Sequence, residues 1–211
     1  MQRCTAMRSE RMRILGRRLG PLALLFLAAC QPLTKPTAAQ PAAWAERKAE
    51  LQAVSRWRFE GRFAVAGVET GGSAGIRWQQ ADAHSDVSVF GALGAGAMHI
   101  ELDGDQLHVE TRRGERIDGE QARAALAERL GAPVPFTQLR YWLLGVPAPG
   151  MQSSEVLGEN QRLASLSQEG WDVRFSEYSS VGGDLLPARV DATHDRVRVK
   201  LRISRWEWRR P

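Results

Sequence analysis

The chain has 211 residues, of which 43% are hydrophobic and 25% are charged, a balance that is ordinary for a globular protein and excludes general disorder. Its formal charge of +5 is concentrated in residues 1–29, which contain six arginines and one glutamate. The remainder holds 23 of the 29 basic and 23 of the 24 acidic residues and is formally neutral. Because nucleic-acid affinity needs basic groups that neutralise phosphates, we expect no nucleic-acid partner.

The basic N-terminal stretch leads into an apolar run, residues 21–29, that ends at Cys30. The run is too short to span a bilayer but suits the apolar region of an export signal. The residues before and at the cysteine, Leu27-Ala28-Ala29-Cys30, resemble the lipobox of bacterial lipoproteins. This resemblance implies that residues 1–29 are a lipoprotein signal peptide and that Cys30 is acylated. An ordinary secretory signal is the alternative.

Cysteine content agrees with a lipid anchor. Cys4 lies in the leader, so Cys30 is the one cysteine left after cleavage and no intramolecular disulfide forms. Two or three acyl chains would hold the protein on a membrane far more firmly than one. Gln31 follows the cysteine, and by analogy with enteric lipoproteins, whose inner-membrane signal is aspartate, it permits outer-membrane sorting.

The mature chain begins with a predicted tether, residues 30–43, which contains three prolines and little apolar bulk. From Trp44 to about Val54 the chain is rich in helix formers, and Trp44, Leu51 and Val54 share one face. We interpret this helix as the start of a single domain, residues 44–211.

Alternation of apolar and polar residues then predicts antiparallel strands in two groups. A turn at Asp103-Gly104 and another at Glu169-Gly170 join neighbouring strands. The predicted strands lie around residues 58–66, 76–79, 87–89, 98–102, 107–109, 163–167, 171–175, 188–192 and 197–203.

Two short helices are predicted between these groups. The first begins at Asp118, with Gln121 three residues later as in a capping box, and ends at Gly131. The second follows Pro135 and is closed by Gly145. The pattern as a whole predicts a mainly β fold whose sheet is apolar on one face. A sheet around a filled core and a sheet around a ligand cavity under a helical lid both fit it.

Five short stretches of the chain carry a family resemblance. They are Trp78-Gln79-Gln80, Gly91-Ala92-Leu93-Gly94, Leu139-Arg140-Tyr141-Trp142 continuing to Pro147, Leu186-Pro187 and the last strand ending at Trp206. In one order from about Trp44 to Trp208, these stretches resemble the outer-membrane lipoprotein receptors of the LolB family. The segment that begins at Leu139 is the most specific of them.

The resemblance implies an incomplete, unclosed antiparallel β-barrel with a lid of short helices over an apolar cavity. It also implies a receptor that accepts lipoproteins from the periplasmic carrier LolA and inserts them into the inner leaflet of the outer membrane. The expected partners are therefore LolA, acylated lipoprotein cargo and outer-membrane lipids. We expect a monomer on the periplasmic face of the outer membrane, anchored through Cys30.

One loop position can be carried over from the family. A protruding loop there has a leucine needed for membrane delivery, and Leu93 occupies that place, flanked by Gly91, Ala92 and Gly94. The family often has a polar residue and proline before the leucine, which this sequence lacks. The alternative is a flexible hairpin whose leucine packs back onto the core.

The acyl-chain cavity is predicted from inward-facing apolar residues. Most of them would also be core residues of any β-sandwich, so they are offered as a set. The set is Phe63, Val65, Ile76, Trp78, Val87, Val89, Ile100, Leu102, Leu107, Val109, Leu126, Trp142 and Leu143.

Other functions have weaker support. The predicted turn would place His99 opposite His108, near Glu101, which could hold a metal, although an exposed polar pair is commoner. The chain has no phosphate-binding glycine loop, and the mature chain would have no free thiol, so we expect no enzymatic activity and no cofactor. A structural outer-membrane lipoprotein with a filled barrel is the main alternative. The basic strand face from Arg196 to Arg202 either docks the carrier or lipid headgroups, or is simply solvated.

Overall fold

The computed structural model describes residues 39–67, 71–91 and 97–208, all of which belong to one unit of the fold. Cys30, the predicted signal peptide and residues 30–38 of the predicted tether lie outside the described residues.

Three α-helices and eleven β-strands make up the described chain. The helices are α1 (Ala39–Gln52), α2 (Gly119–Leu130) and α3 (Phe136–Trp142). The strands are β1 (Arg56–Ala66), β2 (Gly72–Ala81), β3 (His84–Phe90), β4 (Met98–Asp103), β5 (Gln106–Thr111), β6 (Arg116–Asp118), β7 (Ser154–Leu157), β8 (Leu163–Gln168), β9 (Trp171–Val181), β10 (Asp184–His194) and β11 (Val197–Trp208).

All eleven strands form one antiparallel sheet in the order β6-β5-β4-β3-β2-β1-β11-β10-β9-β8-β7. Every neighbour in this order is also a neighbour in sequence except β1 and β11, which join the two ends of the domain. The edge strands β6 and β7 are not paired with each other in the described chain, so the sheet does not close. The predicted incomplete antiparallel barrel is confirmed.

Tight turns set most of the strand registers. Glu169 and Gly170 both have positive φ values, 52° and 74°, as a two-residue hairpin of the predicted kind requires. The β4–β5 turn differs from the prediction, because Asp103 pairs with Gln106 and the turn residues are Gly104 and Asp105. Gly104, at φ 58°, takes the first central position, where glycine is favoured in such turns.

Helix α1 begins at Ala39, earlier than the predicted start at Trp44 and inside the predicted tether. Pro41 falls in its first turn, where backbone N–H groups have no acceptor within the helix, so proline loses no helical hydrogen bond there. The buried Trp44 donates from Nε1 to Glu155 Oε2 at 2.7 Å, which joins α1 to β7. Burial of Leu51 and partial burial of Val54 confirm the predicted apolar face.

Helix α2 has the predicted limits. Asp118 precedes it in an extended conformation, and Gly131 ends it with φ 74°. The predicted capping box is wrong, because Asp118 makes no side-chain capping bond. Its carboxylate instead accepts hydrogen bonds from His108 Nδ1 and Arg116 Nε.

A buried glutamine fixes the end of α3 to strand β8. Gln168 Oε1 accepts from Trp142 Nε1 at 2.8 Å and from the Ala148 backbone N–H at 2.9 Å. Its amide nitrogen donates to the Ala148 carbonyl at 3.0 Å. A buried side chain with all these partners satisfied holds the helix and the following segment at a defined distance from the sheet.

Candidate functional site

An apolar cavity of about 530 Å³ lies between the inner face of the sheet and the helices α2 and α3. This volume falls within the range of about 300–1,000 Å³ typical of small-molecule pockets. Its wall is contributed by β1 to β4, β9 to β11, the two helices and the segment that joins them. The interior under the helices is therefore hollow, as the predicted lid and cavity require.

Ten of the thirteen residues predicted for the cavity lie in its wall. They are Phe63, Val65, Ile76, Trp78, Val87, Val89, Ile100, Leu126, Trp142 and Leu143.

The other three predicted residues do not line the cavity. Leu102 and Leu107 are buried and face each other across the β4–β5 hairpin, and Val109 borders a separate groove. Helix α2 packs against β5, and its residues Ala122 and Leu126 are buried. Inward alternation along a strand therefore indicates burial but does not indicate which buried residues border a void.

Sequence reasoning did not assign a further set of lining residues. These include Phe59, Met98, Leu130, Val134, Phe136, Leu139, Trp171, Ala192, Val199 and Leu201. Two of them, Val199 and Leu201, alternate clearly in sequence, but their place in the wall depends on pairing with Val65 and Phe63 of the distant strand β1. The alternation within β11 predicts that both side chains point inward, but it does not indicate that β1 is the neighbouring strand.

The cavity wall is almost free of charge. Arg129 is the charged side chain among its described residues, and Ser73 is a polar one. Two wall tryptophans have their indole N–H groups satisfied within the protein, Trp78 by Gln80 at 3.3 Å and Trp142 by Gln168 at 2.8 Å. The wall therefore suits an apolar ligand.

Aromatic rings fill one end of the cavity. Phe59 lies with its ring centroid 6.4 Å from that of Trp78, and Trp78 lies 6.4 Å from Phe136. Trp206, which pairs with Phe59 across β1 and β11 and does not line the cavity, has its ring centroid 5.4 Å from that of Phe59. These contacts make the end near the start of β1 a packed aromatic plug.

The predicted histidine pair does not form. In the observed register His99 faces Glu110, and His108 faces Glu101. The turn lies one residue later than predicted, so each partner of the hairpin shifts by two positions. No group of three or more His, Cys, Asp and Glu side chains in the described ranges could hold a metal ion.

The predicted delivery loop is described only at its edge. Gly91 lies in the cavity wall, whereas Ala92, Leu93 and Gly94 lie outside the described residues. Because Val89, Gly91 and Met98 all line the cavity, both strands that carry this loop border the hollow interior.

The basic residues of β11 lie on the outer side of the sheet. Arg198, Lys200 and Arg202 are exposed, and Arg202 Nη2 lies 3.5 Å from Glu177 Oε2. Arg196 precedes the strand and is also exposed. Docking by this face stays a prediction. As for the described helices, none is long and apolar enough to cross a bilayer.

Comparison with solved structures shows the class of fold. A LolA-superfamily protein from Nitrosomonas europaea superposes with a TM-score of 0.52 at 11% identity, covering 80% of this chain and 93% of that chain. A DUF1329-family protein from Desulfovibrio piger gives a TM-score of 0.51 at 8% identity, covering 83% and 94%. The open sheet with helices over its inner face is therefore a fold of the LolA-superfamily type.

Sequence comparison shows the family. A family model described as outer membrane lipoprotein LolB matches residues 55–206. The outer-membrane lipoprotein LolB of Nitrosococcus oceani is 32% identical over 189 residues, covering 88% of this chain and 94% of its relative. That of Stutzerimonas stutzeri is 28% identical over 200 residues, covering 93% and 97%. The chain belongs to the LolB family of outer-membrane lipoproteins, and none of these names is that of an enzyme.

Proposed function

We propose that this protein accepts acylated lipoproteins from the periplasmic carrier LolA and inserts them into the inner leaflet of the outer membrane. The acyl chains of the cargo occupy the cavity beneath α2 and α3 during the transfer. The observation that carries this proposal is the nearly uncharged cavity of about 530 Å³ in a chain of the LolB family.

The energetics of acyl chains explain why such a cavity is needed. Each buried CH₂ group contributes about 0.8 kcal/mol, so exposing several long chains to water costs roughly tens of kcal/mol. A cargo of this kind has to pass from one apolar enclosure to the next without full exposure. The sequence has no phosphate-binding glycine loop, so transfer runs downhill in affinity without nucleotide.

The proposal also includes the membrane to which the protein is attached and the residue that attaches it. Cys30 carries the lipid anchor, and the tether that follows holds the domain at the periplasmic face of the outer membrane. Anchoring fixes the receptor beside the leaflet that receives the cargo, so the final transfer takes place over a short distance. Mass spectrometry of the mature N-terminus tests this part, and an unacylated Cys30 would contradict it.

A transfer experiment tests the central claim. Every described contact lies within residues 39–208, so a chain that begins at Gln31 keeps the whole described fold without the anchor. This chain is mixed with purified LolA carrying an acylated lipoprotein, without nucleotide, and then with liposomes. We expect the cargo to move to the chain and then to the liposomes. If the chain takes no cargo and binds no acyl probe, the structural alternative is favoured.

The delivery loop makes a separate prediction. Leu93 is the one bulky side chain in residues 91–97, and its insertion into lipid would contribute about 1.5–3 kcal/mol, enough to contact a leaflet but not to anchor the protein. We expect Leu93→Glu to accept cargo from LolA normally and to lose most delivery to liposomes.

The matched control is Val156→Glu, which places the same charge at an exposed apolar residue of β7. This variant should deliver cargo like the unmodified chain. Normal delivery by Leu93→Glu would remove the loop from the proposal and leave the cavity as its basis.

A further inference from the structure

A second hollow adjoins the cavity at the end opposite the aromatic plug. It is an open groove of about 1210 Å³ between α2, the ends of β1 and β5, and the beginnings of β4 and β11. Met98, Leu126 and Arg129 line both the groove and the cavity. The two spaces therefore meet along a shared wall, and the groove lies beside the beginning of β4, the strand that follows the segment 92–96.

The groove and the cavity differ in chemistry. The groove has an apolar floor that includes Val109 and Ile117, but its rim carries Glu128, Arg129 and two residues of the β10–β11 turn, Asp195 and Arg196. Two arginines and two carboxylates leave this rim formally neutral. A neutral rim of donors and acceptors does not favour a polyanion, and it suits a neutral segment that is rich in amide and ester groups.

Arg129 stands at the boundary between the two spaces. It is exposed, and it makes no ion pair or hydrogen bond with the described residues. A guanidinium carries five N–H donors in a fixed plane and has no acceptor, so its natural partners here are carbonyl oxygens. A ligand that extends from the cavity into the groove passes this side chain.

We infer that the groove binds the polar junction of the acylated cargo, namely the ester and amide carbonyls of its acylated cysteine and the first peptide units. This inference rests on the proposed function, in which the acyl chains occupy the cavity. Arg129 donates hydrogen bonds to the carbonyls at the boundary, and the rim carboxylates accept from peptide N–H groups. The junction stays hydrated or hydrogen-bonded while the chains are buried.

The cost of burying the polar junction inside the cavity supports its placement in the groove. A carbonyl or amide drawn into the apolar cavity without a partner would lose its hydrogen bonds to water and gain none in return. The cavity wall offers few hydrogen-bonding groups, so a cargo with several polar groups at the base of its chains needs a polar site next to the cavity. The groove is the adjoining space that supplies one.

Two probes separate the groove from the cavity. Hexadecanol has a long chain and no carbonyl, whereas a tripalmitoylated cysteinyl tetrapeptide with neutral side chains has the chains and the polar junction. Each displaces N-phenyl-1-naphthylamine from the chain that begins at Gln31, and the fall in fluorescence gives its affinity.

Two variants act on the groove. Arg129→Ala removes the boundary donor, and Ala125→Phe fills the groove at a residue that does not line the cavity. Arg198→Ala removes an exposed arginine of β11 that lines neither space and is the matched control. We expect both groove variants to bind the lipopeptide roughly three- to tenfold more weakly, the effect of one partly exposed hydrogen bond, with hexadecanol affinity unchanged.

The outcomes distinguish this inference from the proposed function. Groove variants that bind the lipopeptide as tightly as the unmodified chain would overturn the inference while the cavity stands. An equal loss for both probes would also overturn it, because the groove would then act on the chains. If the unmodified chain binds neither probe, the proposed function fails as well. Thermal unfolding of each variant verifies that it is folded.

Discussion

Strands β8 to β10 and strands β1 to β4 belong to the same sheet, yet most of their inward side chains meet different surroundings. Leu166 and Val173, paired across β8 and β9, are each 1% exposed and lie outside the cavity wall. In strands β1 to β3, on the same inner face of the sheet, Phe63, Ile76 and Val89 are only partly buried and face the cavity. One region is filled and the other is hollow.

The difference shows how the fold separates stability from binding. In the filled region, α1 is tied to the sheet by Arg47, which donates to the Leu185 carbonyl at 2.7 Å, and by the contacts of Glu155. In the hollow region, the helices α2 and α3 span the space without filling it. We expect close packing to supply most of the stability, and the hollow region to accept a ligand with little reorganisation.

Two leucine truncations test this contrast most strongly. Leu166→Ala removes contacts on all sides, and we expect it to lower the free energy of unfolding by about 3–5 kcal/mol. Leu201→Ala affects a buried strand leucine that already borders the cavity, so fewer contacts are lost and the expected cost is about 1–2 kcal/mol. Urea unfolding of both variants measures the two costs. Equal costs would contradict the division into filled and hollow regions.

Two alanine-to-phenylalanine substitutions add side-chain volume instead of removing it. Ala148→Phe adds a ring in the filled region, where Ala148 is 4% exposed, and we expect it to destabilise the fold by about 1–3 kcal/mol. Ala74→Phe adds the same ring to the cavity wall, and we expect a change of less than about 1 kcal/mol. The cavity variant should instead lose most of its affinity for hexadecanol. Unchanged affinity would show that the ligand lies elsewhere.

The smallest expected effect concerns the link between α1 and β7. Burial would raise the pKa of Glu155, but hydrogen bonds from Lys48 and Trp44 outweigh it and hold this pKa below its ordinary value of 4.5. A carboxyl whose pKa is lowered on folding stabilises the fold above its unfolded pKa, and this contribution is lost as the pH falls through the folded pKa.

Glu155→Gln tests that link. We expect the variant to be less stable than the unmodified chain by less than about 1 kcal/mol at pH 7, with the difference shrinking as the pH falls below 4.5. Urea unfolding between pH 3 and pH 7 measures it. A difference that does not depend on pH would show that the charge of Glu155 contributes nothing to the attachment of α1.

How well each sequence prediction performed depended on how far apart in the chain the interacting residues are. The limits of α2 were predictable because an extended residue at Asp118 and a left-handed glycine at Gly131 are local signals. The register of the β4–β5 hairpin was predicted wrongly, because Gly104 can be either the first or the second central residue of a turn between the same two strands. This error produced the false pairing of His99 with His108. The capping box failed because His108 and Arg116 from neighbouring strands bind the carboxylate of Asp118.

Local patterns were sufficient for nine of the eleven antiparallel strands, the two central helices and the family, because periodicity, turn residues and short motifs act over a few neighbouring positions. The short edge strands β6 and β7 were not predicted. The cavity depended on contacts between distant parts of the chain. Pairing of Phe63 with Leu201 joins the first and last strands, and the bonds of Gln168 hold α3 over the sheet. An inward apolar side chain looks the same in sequence whether it meets another side chain or an empty volume. The spacing between sheet and helices decides between the two, and packing across the whole domain sets that spacing.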